Sequence, residues 1–232
     1  MDAFALCEKT MIKKLLLNPI KKRITRRIFA QEEASRLRKE SSLPKAILEK
    51  KHIANCRLLL NRQELLEELP QEGVVAELGV DNGDFSQQIF DTNRPEVLHL
   101  VDKWSGVRYH EGKCLAVTEK FKKEIESGQV VIHRKLSTEA AADFSDSSLD
   151  WVYIDTSHSY EVTRDELLIY SEKVKPGGIL AGHDYSMGNW IKTYRYGVIE
   201  AVHEFCVNHD WELIYLTVDP LEQQSFAIRK IR

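Results

Sequence analysis

No apolar run in the 232-residue sequence approaches the roughly 20 residues that a membrane-spanning helix needs. The longest near the start, Leu15 to Leu17, is cut off by Asn18-Pro19, so a secretory leader is not expected. Cysteine is scarce: Cys7, Cys56, Cys114 and Cys206 lie far apart without paired spacing. That pattern excludes a disulfide framework or a zinc cluster and suits reduced thiols in a cytoplasmic protein. Internal repeats and low-complexity tracts are also missing, which argues against solenoids and arrays. The hydrophobic fraction of 43 % is ample for a core, and the length suits one α/β domain with an appendage.

Charge is unevenly spread. Residues 1–52 carry 14 Lys and Arg against 6 Asp and Glu, a formal +8, and the remainder carries −11 of the total −3. Residues 1–52 read as a basic, helical N-terminal extension, broken at Asn18-Pro19 and Leu43-Pro44. Its Lys21-Lys22-Arg23 and Arg26-Arg27 clusters suit an anionic surface or a partner subunit, or else a solvated helix face. A mitochondrial presequence is disfavoured by Asp2 and Glu8.

Residues 53–232 read as the main domain. Leucines from 58 to 69 suit an amphipathic helix over Ile53–Leu69. Strands are then predicted at 74–79, 97–101, 130–133, 149–155, 179–181, 211–217 and 223–229. Helices fall at 84–93, 113–127, 160–174 and 195–208, with a short turn at Ser137-Thr138 in which either residue serves as N-cap. This alternation predicts a doubly wound, Rossmann-like sheet, mainly parallel, with helices on both faces. A hairpin at Asp219-Pro220 makes one strand antiparallel.

The organising stretch is Val74 to Ser86, where an apolar run meets Gly79 and Gly83 before a helix begins. Such turns usually hold a pyrophosphate at a helix N-terminus. Here Glu77, Asp81 and Asp84 replace any Lys or Arg, and Asp81 stands where a dinucleotide fingerprint has its middle glycine. A cationic ligand fits better than a phosphate, and NAD is disfavoured. Asp102, Ser137, Asp155, His158, His183 and Asp184 also follow predicted strands, so one crevice gathers them.

These residues resemble class I S-adenosylmethionine-dependent methyltransferases. The resemblance runs through Glu77-Leu-Gly79, Gly83, Ser86, Val101-Asp102, Ser137-Thr138 and Asp150-Trp-Val-Tyr-Ile-Asp155-Thr-Ser-His158, and on to Lys175-Pro-Gly-Gly and Gly182-His183-Asp184-Tyr185. Within that group the sequence is similar to metal-dependent small-molecule O-methyltransferases of the macrolide-sugar and catechol type. The resemblance covers roughly residues 53 to 230 and implies a seven-stranded sheet with its last strand antiparallel. It implies S-adenosyl-L-methionine as cofactor, with Glu77, Gly79, Gly83, Ser86, Asp102, Ser137 and Thr138 around it and Asp102 on the ribose.

It also implies a divalent metal, magnesium or manganese, at Asp155, His183 and Asp184, with His158 as base toward a hydroxylated acceptor. His183 departs from the family, which has an acid there, and an imidazole suits manganese, iron or zinc better than magnesium. Two rivals stay open: a non-heme iron oxygenase using Asp155, His158 and His183, and a non-catalytic protein that binds through the basic arm. Homo-oligomerisation is equally open. Trp104, Tyr109, Tyr185, Trp190, Tyr194 and Tyr196 are expected in loops over the crevice.

Overall fold

The computed structural model describes residues 3–189, 191 and 193–232, the side chains of residues 3–20 excepted. The chain divides into two compact units, Met1–Pro44 and Lys45–Arg232. The first is a single helix, α1 (Ala3–Ser42). The break expected at Asn18-Pro19 does not occur. One interior proline removes a single backbone hydrogen bond, and the Lys-, Arg- and Leu-rich flanks are good helix formers that resume beyond it. The helix does stop before Leu43-Pro44, because a proline disfavours the helical conformation of the residue preceding it. From residue 21 onward its basic side chains are exposed, as are Ile24, Ile28, Phe29 and Leu37. Among the described residues no helix is long and apolar enough to cross a membrane.

The second unit is built on β1 (Arg57–Leu59), α2 (Arg62–Glu68), β2 (Val74–Leu78), α3 (Asp84–Asn93) and β3 (Val97–Val101). Then come α4 (Glu111–Lys120), α5 (Lys122–Ser127), β4 (Val130–His133), α6 (Ser137–Ala140), β5 (Leu149–Ile154), α7 (Tyr160–Lys173) and β6 (Val174–Gly182). A small ribbon, β7 (Gly188–Asn189) with β8 (Tyr194–Arg195), leads to α8 (Val198–His209), β9 (Trp211–Thr217) and β10 (Phe226–Lys230).

The main sheet runs β1-β9-β10-β6-β5-β2-β3-β4. Every pairing is parallel except those of β10, which runs antiparallel to both β9 and β6. Central strands such as β2 and β5 are apolar almost throughout because both of their faces are covered. Ala76, Leu78, Val152 and Ile154 point to one side, against Leu167 and Tyr170 of α7 and Val202 and Phe205 of α8. Their alternates Val75, Trp151 and Tyr153 point to the other, against Leu65 and Leu66 of α2, Phe85 and Ile89 of α3, and Val117 of α4.

Two expectations are corrected. The helix over Ile53–Leu69 is shorter, because Arg57–Leu59 pairs with Tyr215–Thr217 of β9 and adds an eighth strand to the expected seven. Leu58 is 67 % exposed there, so the leucine spacing marked an edge strand followed by a helix that starts after the Asn61 cap. The helix expected over 113–127 is two, divided at the buried Phe121.

Candidate active site

The strand ends that gather the candidate residues are laced together by their backbones. Gly79 N–H donates to Val101 O, Asp155 N–H to Leu78 O, Asp102 N–H to His133 O and His183 N–H to Ile154 O, at 2.8–3.2 Å. Gly79 has φ +90°, and a Cβ on it would lie 2.0 Å from the Asp155 carbonyl oxygen. The glycine is therefore required by the approach of β2 to β5, where the sequence suggested an approaching ligand. Gly83 (φ +71°) turns the chain into α3.

Asp102 organises this turn. Its Oδ2 accepts from the amides of Val80 and Asp81 at 3.0 and 3.1 Å, and its Oδ1 from Trp104 N–H at 2.9 Å. Trp104 is buried, and its indole N–H donates to Asp81 O at 3.0 Å, so it anchors the turn from within and is not a lid residue. Tyr185 likewise turns inward, its hydroxyl 2.5 Å from His203 Nε2. Trp190 lies outside the described residues.

The acids of the turn are less free than the sequence suggested. Glu77 is buried, accepts the Ser86 hydroxyl, and has its pKa pushed up to about 8 by burial. Asp81 is paired with Lys113, and Asp84 with Lys120 at 2.7 Å. The floor of the turn thus carries little uncompensated negative charge.

Above it lies a cavity of about 870 Å³, within the range of small-molecule sites. Glu77, Gly79, Asp102, Ser137, Asp155, His158 and Asp184 line it, as do Tyr109, Tyr194 and Tyr196 from the overlying loops. Gly83, Ser86 and His183 are not among its lining residues, and Thr138 lines a separate surface depression with Leu168. Neither Ser137 nor Thr138 is an N-cap, a position taken by Leu136. Ser137 Oγ instead donates to Glu166 at 2.5 Å, and Thr156 Oγ1 donates to the other oxygen at 2.9 Å. Burial raises the Glu166 carboxyl to about 7 despite these donors.

At the β5–β6 end the titratable groups converge. His158 Nδ1 lies 2.9 Å from Asp184 Oδ2 and 3.9 Å from Asp155 Oδ1. Burial works against the charged form of His158, but the Asp184 hydrogen bond and charge outweigh it and raise the imidazole pKa. The Asp184 carboxyl, although buried, is held far below the usual carboxylate range by His158 at 2.9 Å and, from farther off, by His183. Asp155 is raised by burial, which the two histidines offset only in part.

His158 and Asp184 both sit in the left-handed region, at φ +58° and +57°. Such non-glycine conformations cost about 1–3 kcal/mol each, and they persist where the surroundings impose them. Donor atoms of Asp155, His158 and Asp184 lie within 4.8 Å of one another, so two carboxylates and an imidazole form a donor set that fits a divalent ion. His183 stands behind this set. Its Nδ1 is 3.6 Å from Asp184 and 3.9 Å from Asp155, and its buried Nε2 has no hydrogen-bond partner among the described residues.

Two cavity features escape a reading of strand ends because they come from helices. Arg62, first residue of α2, reaches within 3.7 Å of Asp155 Oδ2, and Glu166 supports the Ser137–Thr156 wall from inside α7.

Residues 76–185 match the family model described as a methyltransferase domain. No protein of curated function matches the chain by sequence. A S-adenosylmethionine-dependent methyltransferase from Aquifex aeolicus superposes with a TM-score of 0.54 at 13 % identity, over 75 % of this chain and 91 % of that one. A protein designated a type 11 methyltransferase from Sulfolobus solfataricus gives 0.53 at 14 % identity, over 74 % and 90 %. The Bacillus subtilis tRNA methyltransferase TrmK gives 0.52 at 13 % identity, over 75 % and 67 %. The fold is that of class I methyltransferases.

Proposed function

We propose that this chain, whose fold is that of class I methyltransferases and whose residues 76–185 match a methyltransferase domain, is an S-adenosylmethionine-dependent enzyme that methylates a hydroxyl of a small acceptor with divalent-metal assistance. The reading is carried by one observation: Asp155, His158 and Asp184 converge in the same cavity as the Gly79 turn and Asp102.

S-adenosylmethionine, when bound, supplies a methyl group activated by a sulfonium. The protein's part is to align an acceptor oxygen for in-line displacement and to remove its proton. Asp102 and the turn amides that it fixes form the end of the cavity suited to the nucleoside, with Ser137 beside it. Asp155 and Asp184 would hold the divalent ion, which lowers the pKa of a coordinated hydroxyl. Of the three converging donors His158 stays off the ion as the base: Asp184 orients it at Nδ1, which leaves Nε2 to accept the acceptor's proton. Tyr196, whose ring centroid lies 5.1 Å from that of His158, covers the imidazole from the loop side.

The rival iron-oxygenase reading needs two histidines and one carboxylate. Among the described residues the converging donors include one histidine, His158, and not His183, so the second imidazole of that reading is missing from the set. A panel of hydroxylated metabolites with labelled methyl donor, run with and without EDTA, tests the proposal. Transfer that EDTA stops, with S-adenosylhomocysteine still raising the melting temperature, is the expected result. Transfer indifferent to EDTA would remove the metal.

A further inference from the structure

Arg62 has no part in the chemistry above, yet it stands in the same cavity. Its side chain is 18 % exposed, lies over the Phe85 ring at 4.3 Å, and comes 3.7 Å from Asp155 Oδ2 and 3.3 Å from Glu222 Oε2. A closed guanidinium–carboxylate fork brings nitrogen and oxygen to about 2.7–2.9 Å in two parallel bonds. Arg57 and Glu68 show that geometry in this molecule, at 2.7 Å for both bonds. Arg62 closes no such fork with Asp155 or Glu222. The guanidinium lies over Phe85, shares a hydrogen bond with the buried Tyr153 hydroxyl, and lines the cavity, where its remaining donors are left for a ligand.

We infer, on the reading that methyl transfer takes place at Asp155 and His158, that Arg62 selects an acceptor carrying a carboxylate. A planar anion matches the guanidinium's paired donors where a neutral group does not. Arg62 lies one ion-pair distance from Asp155, so a carboxylate held there is a short spacer away from a hydroxyl held at Asp155. Glu222, in the connection between β9 and β10 and 45 % exposed, is the displaceable partner that keeps the guanidinium neutralised until the acceptor arrives. The competing occupant is the carboxylate of the cofactor's own amino-acid end.

Calorimetry on the full chain separates the two. S-adenosylhomocysteine is titrated first, then 3,4-dihydroxybenzoate or its amide into the saturated protein, for wild type, R62Q, R62K and E222Q. The acid is expected to bind about tenfold or more tighter than the amide, the scale of a charged hydrogen-bonded pair. R62Q should level the two. R62K, which keeps the charge and protects against a folding artefact, should lose most of the preference. E222Q should tighten the acid, and S-adenosylhomocysteine should bind all four proteins within about twofold, since no charged hydrogen bond to it is lost. Binding of the amide as well as the acid, or of neither, overturns the inference. So does weaker S-adenosylhomocysteine binding in R62Q with the acid preference intact, which would give Arg62 to the cofactor. Wild type that takes up no S-adenosylhomocysteine overturns the methyltransferase reading instead.

Discussion

The His158–Asp184 pair concentrates the chemistry in two side chains. Asp184 holds one nitrogen of the imidazole, and both residues accept a strained backbone to meet. His158→Ala should lower turnover by about 10²–10⁴ while leaving S-adenosylhomocysteine affinity unchanged, because it removes the base and nothing of the nucleoside site. Full turnover would take the base role from His158. Glu77 gives a prediction of a different kind. Its folded pKa of about 8 lies above its ordinary 4.5, so the folded chain holds a proton that the unfolded chain releases in that window. Its contribution to stability is full below pH 4.5 and is lost as pH rises through 8. Glu77→Gln cannot titrate, so urea denaturation should show a flatter stability profile from pH 4.5 to 8 in the variant; parallel profiles would contradict the buried, protonated acid.

Among the elements, the strand ends were legible and the helix-borne residues were not. Asp155, His158 and Asp184 follow apolar runs that only a parallel sheet explains, so their gathering could be read from order alone. Arg62 and Glu166 could not, because nothing in a helical stretch says which residue faces a cavity formed by other segments. The Ile53–Leu69 stretch misled for a related reason: whether Leu58 is buried depends on β9, whose paired Leu216 is 158 residues away in sequence. Gly79 was found in the sequence for the wrong cause, since its neighbour is the Asp155 carbonyl. Gly79→Ala would force the β2 and β5 ends apart at a position with φ +90°, and should cost ~2 kcal/mol or more in urea denaturation. A variant as stable as wild type would show that the strand ends are not in that contact.

For the molecule as a whole, the alternation of strands and helices and the antiparallel final strand were written in the pattern of apolar runs, as was the basic N-terminal helix in its composition. Charge was the less transparent property. Carboxylates that crowd the Gly79 turn in sequence prove to be neutralised by burial or by Lys113 and Lys120, so the proposal of a sulfonium cofactor rests on the methyltransferase domain match and the fold more than on a bare negative floor. Structural likeness at 13–14 % identity establishes the fold alone, which leaves the cavity's ligand as the point to test. Calorimetric titration of the full chain with S-adenosylhomocysteine and, separately, with NAD does so directly. The account predicts saturable binding of S-adenosylhomocysteine at one site per chain and no heat from NAD; tight NAD binding with indifference to S-adenosylhomocysteine would contradict it.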